Sequence, residues 1–267
     1  MINTKDRTFR VGAGITLLML LIILVGAVWT PYDPNAMNAA EKMAGPSLRH
    51  LLGTDNFGRD IFSRVVQGAG ATFLIALCSV SIGLLAGLVI GGLTGWYGGW
   101  VDELLMRLND SITAFPSLLL ALVLIAVFHT GKYNIILALG IIFIPTFARI
   151  VRMEVAGQKT LDYVRNARLM GVRDMRILFV HIMPNIVPVL LSTVAIGFNN
   201  AVLAEASMSY LGLGVQPPDP SLGRMLNEAQ AYLSRAPWYA LSVGLAIILL
   251  VLGFGLLSDG LGGGSHA

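Results

Sequence analysis

From Val65 to Val101 the chain runs through 37 consecutive residues without an Asp, Glu, Lys or Arg. A charge at the centre of a bilayer costs about 2.5 to 3.5 kcal/mol even on a lenient insertion scale, so an uncharged stretch of this length marks a segment that can cross one. The whole chain agrees. Its 267 residues are 55% hydrophobic and only 12% charged, against roughly 25% charged in an ordinary soluble domain, which excludes a water-soluble globule. The apolar residues come in long blocks rather than alternating, which argues against a membrane β-barrel and leaves bilayer-spanning helices. A net charge of +3 is too weak to indicate nucleic acid. The single cysteine, Cys78, cannot form an internal disulfide.

The uncharged runs predict an all-α polytopic membrane protein with six transmembrane helices. The first, Val11 to Trp29, ends at Thr30-Pro31-Tyr32-Asp33-Pro34 and reads as an uncleaved span. The second needs only residues 70 to 96 of its run. The third has its core at Ser111 to Gly131, entered from about Leu104. The fourth is Tyr133 to Ala148, continuing toward Val151. The fifth lies in Ile177 to Ala204 and starts near Pro184, and Ala206 to Pro218 extends it until Gly212, Gly214 and the following prolines break it. The sixth is Ala236 to Ser258. With the N-terminus inside, the inner segments hold 11 Lys and Arg and the outer ones 7, so the positive-inside rule places both termini in the cytoplasm. The chain divides into residues 1–70 (tail, first span and external segment), a five-helix core over 71–261 with an inner loop at 153–183, and a tail at 262–267.

Four small clusters stand out. Gly83, Gly87, Gly91 and Gly95, with Ser79 one step before, recur every four residues and form a groove for a neighbouring helix. That neighbour is either in the same chain or in a second subunit. In the inner loop, Thr160 is placed to cap a short helix whose apolar positions are Tyr163, Val164, Ala167 and Met170, with Arg165 and Arg168 on another face and Gly171 as its stop. Asp174 can start a second helix, Met175 to Met183, that reaches Pro184. This unit either docks Tyr163, Ala167 and Met170 onto another protein or rests on lipid headgroups. On the outer side, Asp55, Arg59, Asp60 and Arg64 belong to an amphipathic helix over Thr54 to Val66, in which Asp60 and Arg64 can pair. Its role is packing, or a surface near the outer mouth of a pathway. Near the spans, Glu103 with Arg107 and Arg107 with Asp110 are at pairing distance. Asn199, Asn200 and Glu205 either bond between helices or line a path. His50, His129 and His181 show no ligand spacing, so no metal site is expected.

Several of these segments resemble one family. Tyr163 to Asn185, YVRNARLMGVRDMRILFVHIMPN, is similar to the EAA loop of binding-protein-dependent ABC importer permeases. Ala167, Gly171 and Pro184 stand where that pattern puts them, while Arg165 and Asn166 replace its first Glu and Ala. HLLGTDNFGRDIFSR from His50 to Arg64, GGWVDELLMRLNDSITAFP from Gly98 to Pro116, EASMSYLGLGVQPP from Glu205 to Pro218, and Asp259-Gly260-Leu261 resemble stretches of the dipeptide, oligopeptide and nickel group of those permeases. The resemblance implies the type I importer (MetI-like) permease fold in the bacterial inner membrane. It implies a chain that forms half of a translocation pathway for small peptides or nickel chelates. Its partners would be a homologous permease, two ATP-binding subunits carrying ATP and Mg, an external substrate-binding protein and the lipid bilayer. No G-x-x-x-x-G-K-[ST] occurs in the chain, so no catalytic residue or cofactor is expected in it. The other reading of the composition, a secondary transporter or channel subunit independent of an ATPase, would call for midplane charges that these spans lack.

Overall fold

The computed structural model describes residues 7–262, and every regular element among them is helical. Lys5 and both termini, with their expected cytoplasmic placement, lie outside the described residues, as does the tail from residue 263. Five helices are long and apolar enough to span a bilayer, and a sixth span is a helix pair bent by 91°. The spans are α1 (Arg7–Val28), α2 (Ile61–Tyr97), the bent pair α3 (Gly99–Thr113) and α4 (Ser117–Phe128), and α5 (Lys132–Gln158). After the short α6 (Asp162–Leu169), the chain runs without a break from α7 (Asp174–Arg176) through a π-helical stretch (Ile177–Ile182) into α8 (Met183–Tyr210). A short helix, α9 (Leu222–Gln230), precedes the last span, α10 (Pro237–Gly262).

Four expectations change. The amphipathic helix over Thr54 to Val66 does not form as such: Gly58 adopts φ +77°, Thr54 pairs with Asp60 across the turn, and the helix begins only at Ile61. Asp60 is its N-cap, accepting from Ser63 N at 2.8 Å, and so satisfies an otherwise orphan donor instead of pairing with Arg64. The third span is not straight, because Pro116 has no N–H to donate and pushes Phe115 out of the helical region. The separate helix expected at Met175 to Met183 is instead the start of the fifth span. There the chain must pass Pro184 and Pro188, and a wider π turn takes up the mismatch. Finally, α9 was not anticipated. Its Ser221 cap, accepting from Arg224 N at 3.3 Å, hides behind the proline cluster. The division drawn at residue 70 falls inside α2.

The longest packed contact is between α2 and α5. The glycine column of α2 faces α5 of the same chain, not a second subunit. A Cβ placed at Gly83 would stand 2.7 Å from Phe143 Cβ, one at Gly87 2.5 Å from Phe147 Cβ, and one at Gly95 2.7 Å from Arg152 O. At Gly91 the obstructing groups are Ala148 O and Val151. Gly140 reciprocates from α5, against Ile82. Ser79 extends the column by donating to Ile136 O at 3.2 Å. On the other side of α2, Phe73, Phe198 and Phe254 tie α2, α8 and α10 together, with ring centroids 4.1 to 6.1 Å apart. The first span packs along α10, Gly12 against Leu256 and Gly253 against Thr16.

Replacing Gly87 with Leu forces a branched side chain into the backbone of α5, where even modest overpacking costs about 1 to 3 kcal/mol. The variant is expected to insert normally, since insertion follows apolarity, but to lose assembled protein. Membrane fractionation and size-exclusion yield check this, and wild-type yield would contradict the packing.

Candidate coupling surface and translocation face

At the ends of the spans expected to face inward, α6 lies across the bundle. Val164 is fully buried, and Tyr163 and Ala167 join it in a cluster with Trp96, Val155, Ile177 and Ile182. Tyr163 Oη donates to Gln158 Oε1 at 2.7 Å. Trp96 lies beneath two cations, with the Arg168 guanidinium 4.6 Å and the Lys159 ammonium 5.7 Å from its ring centre. Lys159 also donates to Trp96 O. The apolar face of α6 is therefore used inside the chain, because a helix of eight residues holds its place only by burying that face. Of the three residues expected to dock outward, only Met170 is free to do so. It is 85% exposed beside Leu169 at 86%, and Arg165 and Asn166 share the outward side.

The ends of α6 differ from the expected caps in one respect. Thr160 does not cap it. Its hydroxyl donates to Gly157 O at 2.9 Å, finishing α5, and Leu161 stands at the N-cap without a side-chain bond. The C-terminus does stop at Gly171, φ +77°, in a Schellman motif: Gly171 N donates to Arg168 O at 2.9 Å and Val172 N to Ala167 O at 3.1 Å. This turn presents Leu169 and Met170 as a tip, followed by exposed Arg173 and Arg176. Pro184 stands exposed just after the π-helical stretch, in the first turn of α8. Behind the tip, Arg152 grips Asp102 with two bonds of 2.5 and 2.6 Å, and Arg149 reaches Asp110 at 2.7 Å. Asp110 thus pairs with α5 and not with Arg107, while the expected Glu103–Arg107 pair forms at 2.5 Å.

The ends expected to face outward carry a second, drier network. Asp55, Arg59, Asp60 and Arg64 are all buried. Arg59 Nε donates to Asp55 Oδ2 at 2.6 Å, and its Nη2 reaches Glu228 on α9 at 3.1 Å. Arg64 lies 3.6 Å from both Asp55 and Glu228 and donates to Pro34 O at 3.1 Å. Two cations and two anions close together this way, with Tyr239 Oη on Glu228 at 3.2 Å. Asp60 also bonds His50 Nδ1 at 2.8 Å. Glu228 has no signal in the sequence: it is 169 positions from Arg59. Trp96 and Lys159 were likewise missed, though Trp96 directly follows the last glycine of the column.

Of the three polar residues near the end of α8, only one faces open space. Glu205 is fully buried and accepts from Thr72 Oγ1 at 2.7 Å and Ser209 Oγ at 2.6 Å, so it ties helices together and lines nothing. Asn199, with its amide turned to satisfy both neighbours, bridges to Val251 O and Gly255 N of α10 at 3.1 Å. Asn200 is exposed and lines a cavity of about 550 Å³ between α4, α5 and α8, together with Thr113, Ser117, Thr146 and Ser207. Among the described residues, that lining carries hydroxyls and one amide but no charge.

Residues 83–263 match the family described as the binding-protein-dependent transport system inner membrane component. The chain belongs to this family. It is 36% identical over 257 residues to the dipeptide transport system permease DppC of Alkalihalophilus pseudofirmus, covering 96% of this chain and 84% of that protein. It is 42% identical over 253 residues to the glutathione transport system permease GsiD of Pectobacterium atrosepticum, covering 94% and 84%. The fold resembles an inward-facing MetNI methionine ABC transporter structure at TM-score 0.62 and 18% identity, over 73% of this chain and 93% of that one. The chain is a membrane-spanning permease subunit of an ABC importer, and the MetI-like fold is the one present. As an inner-membrane component it acts by transport, with ATPase and substrate-binding partners implied by the family.

Glu228→Gln leaves three arginines (Arg59, Arg64 and Arg224) facing one fewer carboxylate in a buried site, and breaking such a network costs about 3 to 5 kcal/mol. Arg165→Ala removes only an exposed 3.6 Å pair with Asp162, worth under about 1 kcal/mol. Thermal unfolding in detergent is expected to show a clear drop for the first and almost none for the second. Equal shifts would refute the ranking.

Proposed function

We propose that this permease pairs with a homologous permease, two ATP-binding subunits that hold ATP and Mg, and an external binding protein, to import small peptides. The observation that carries the cargo is the lining of the 550 Å³ cavity: Thr113, Ser117, Thr146, Asn200 and Ser207 set among apolar residues that include Met208, with no His, Cys or carboxylate. Neutral donors and acceptors suit amide groups in transit, whereas a passing metal chelate gains nothing from them. The named relatives, transporting dipeptide and glutathione, support the same class. The basic bias of the inner loops supports cytoplasmic termini. The outer network of Asp55, Arg59, Asp60 and Arg64 then stands on the side where a binding protein arrives.

Coupling to the ATPase runs through the tip of α6. Leu169 and Met170 enter a cleft on the ATP-binding subunit, with Arg165, Asn166, Arg168, Arg173 and Arg176 around them. Thr160 and Gly171 bound the segment, and Tyr163, Val164 and Ala167 pass its movement to Trp96 and Ile177. The lipid-resting alternative would bury the same two apolar residues among headgroups instead, so the two readings separate by partner.

Met170→Asp puts a charge on the exposed tip without touching the core. At a docked contact such a change costs about 2 to 4 kcal/mol, or roughly 30 to 1000-fold in affinity. The ATP-binding subunit is expected to be lost on co-purification, while Val164→Asp is expected to unfold the loop altogether. A Met170→Asp protein that keeps its ATPase and its uptake rules the docking out. Cargo is tested by uptake of labelled dipeptide, glutathione and a nickel chelate into cells carrying Asn200→Leu. Peptide uptake that falls several-fold supports the reading, and uptake of the nickel chelate alone overturns it.

A further inference from the structure

Another open groove lies away from both the coupling tip and the cavity beside Asn200. It holds about 440 Å³ between the outer ends of α1 and α2, the start of α5 and the loop that follows α8. Its walls are mostly apolar, with Gln67 the one uncharged polar side chain and small residues (Gly26, Gly70, Ala71) opening the space between the two helices. Two charges stand in its lining, Lys132 and Asp219. Neither makes an ion pair or a hydrogen bond among the described residues, and the two do not pair with each other. Several charges elsewhere at the ends of this bundle are matched, among them Asp55 with Arg59, Asp102 with Arg152 and Asp110 with Arg149.

We propose that this groove is a binding site for one zwitterionic phospholipid carrying a primary ammonium, of the phosphatidylethanolamine type. The dimensions fit. The α2 wall runs from Val66 to Leu74, nine residues or about 12 Å at 1.5 Å per rise, close to the ~15 Å of one leaflet's hydrocarbon. An acyl chain occupies that wall against Ile23 and Phe73, and the headgroup meets the rim. There Lys132 takes the phosphate and Asp219 the ammonium, which gives both unpaired charges a partner on a single molecule. An anionic lipid without an ammonium leaves Asp219 facing negative charge, so the site discriminates by headgroup as well as by apolarity. A helix of a second permease is the competing occupant, but it would have to supply a cation and an anion at one level of the membrane boundary, where a zwitterionic lipid supplies both.

The assembled transporter, purified through this chain in mild detergent, is titrated with phosphatidylethanolamine and with phosphatidylglycerol and read by native mass spectrometry. One phosphatidylethanolamine per copy of this chain is expected to be held more tightly than phosphatidylglycerol. Lys132→Glu and Asp219→Lys, both outside the packed core, are each expected to weaken that binding by about fivefold or more. Ala71→Trp, which fills the groove, is expected to abolish it. Retention unchanged in both charge variants overturns the proposal. So does a disulfide formed in membranes between a cysteine at position 24 or 71 and the second permease, because that places protein where the lipid is assigned.

Discussion

Glycine at every fourth position of α2 lets two helix backbones meet from Gly83 to Gly95, a contact about 18 Å long. Inside a bilayer there is no water to drive helices together, so association rests on close packing and on the few bonds that cross it. Both ends of the molecule hang from this seam. At one end Trp96 follows the last glycine and becomes the floor on which α6 rests. At the other, the N-terminus of α2 carries Asp60, Ser63 and Arg64 into the outer network. Side chains larger than glycine along the seam would separate α2 from α5 and pull both sites apart.

In the proposed cycle, that arrangement decides what a push on the tip of α6 can move. Leu169 and Met170 have little behind them except the helix itself, and the helix is held by Val164, Tyr163 and Ala167 against Trp96, Val155, Ile177 and Ile182. Those contacts belong to the ends of α2, α5 and the fifth span at once. Force at the tip is therefore shared among three spans. The π turns at Ile177–Ile182 are the least regular part of that load path. They sit where Pro184 and Pro188 already deny the fifth span two backbone bonds.

The spans were legible because a bilayer leaves few alternatives: uncharged runs of sufficient length must be helices, and all six fell near their expected places. The glycine column was legible for the same reason, being a period of four in one helix. The bend at Pro116 was missed because apolarity continues through it, so the run that marked a span concealed its break. The α6 face shows a different limit. Periodicity identified Tyr163, Val164 and Ala167 as one side of a helix but could not say what that side meets, and short helices spend their best face on their own protein. The outer network was out of reach altogether. Asp55, Arg59 and Arg64 are neighbours in sequence, whereas Glu228 and Tyr239 arrive from α9 and α10, and the pairing of charges across that distance leaves no local pattern.

The bent third span also bears on which side of the molecule lipid can touch. With 12 residues, α4 is about 18 Å long, well short of the ~30 Å hydrocarbon core. Part of the remaining length is covered by the break, where Ala114 N–H still bonds Asp110 O but the backbone groups of Phe115 stand outside regular helix. Hydrocarbon cannot satisfy such groups, so irregular backbone at that depth is tolerated only against protein or water. Thr113, Phe115 and Ser117, on either side of the break, line the same cavity as Asn200 and Ser207. The unwound segment and the exposed polar side chains thus fall on one face. A face with both features is one that protein or water, not hydrocarbon, must cover.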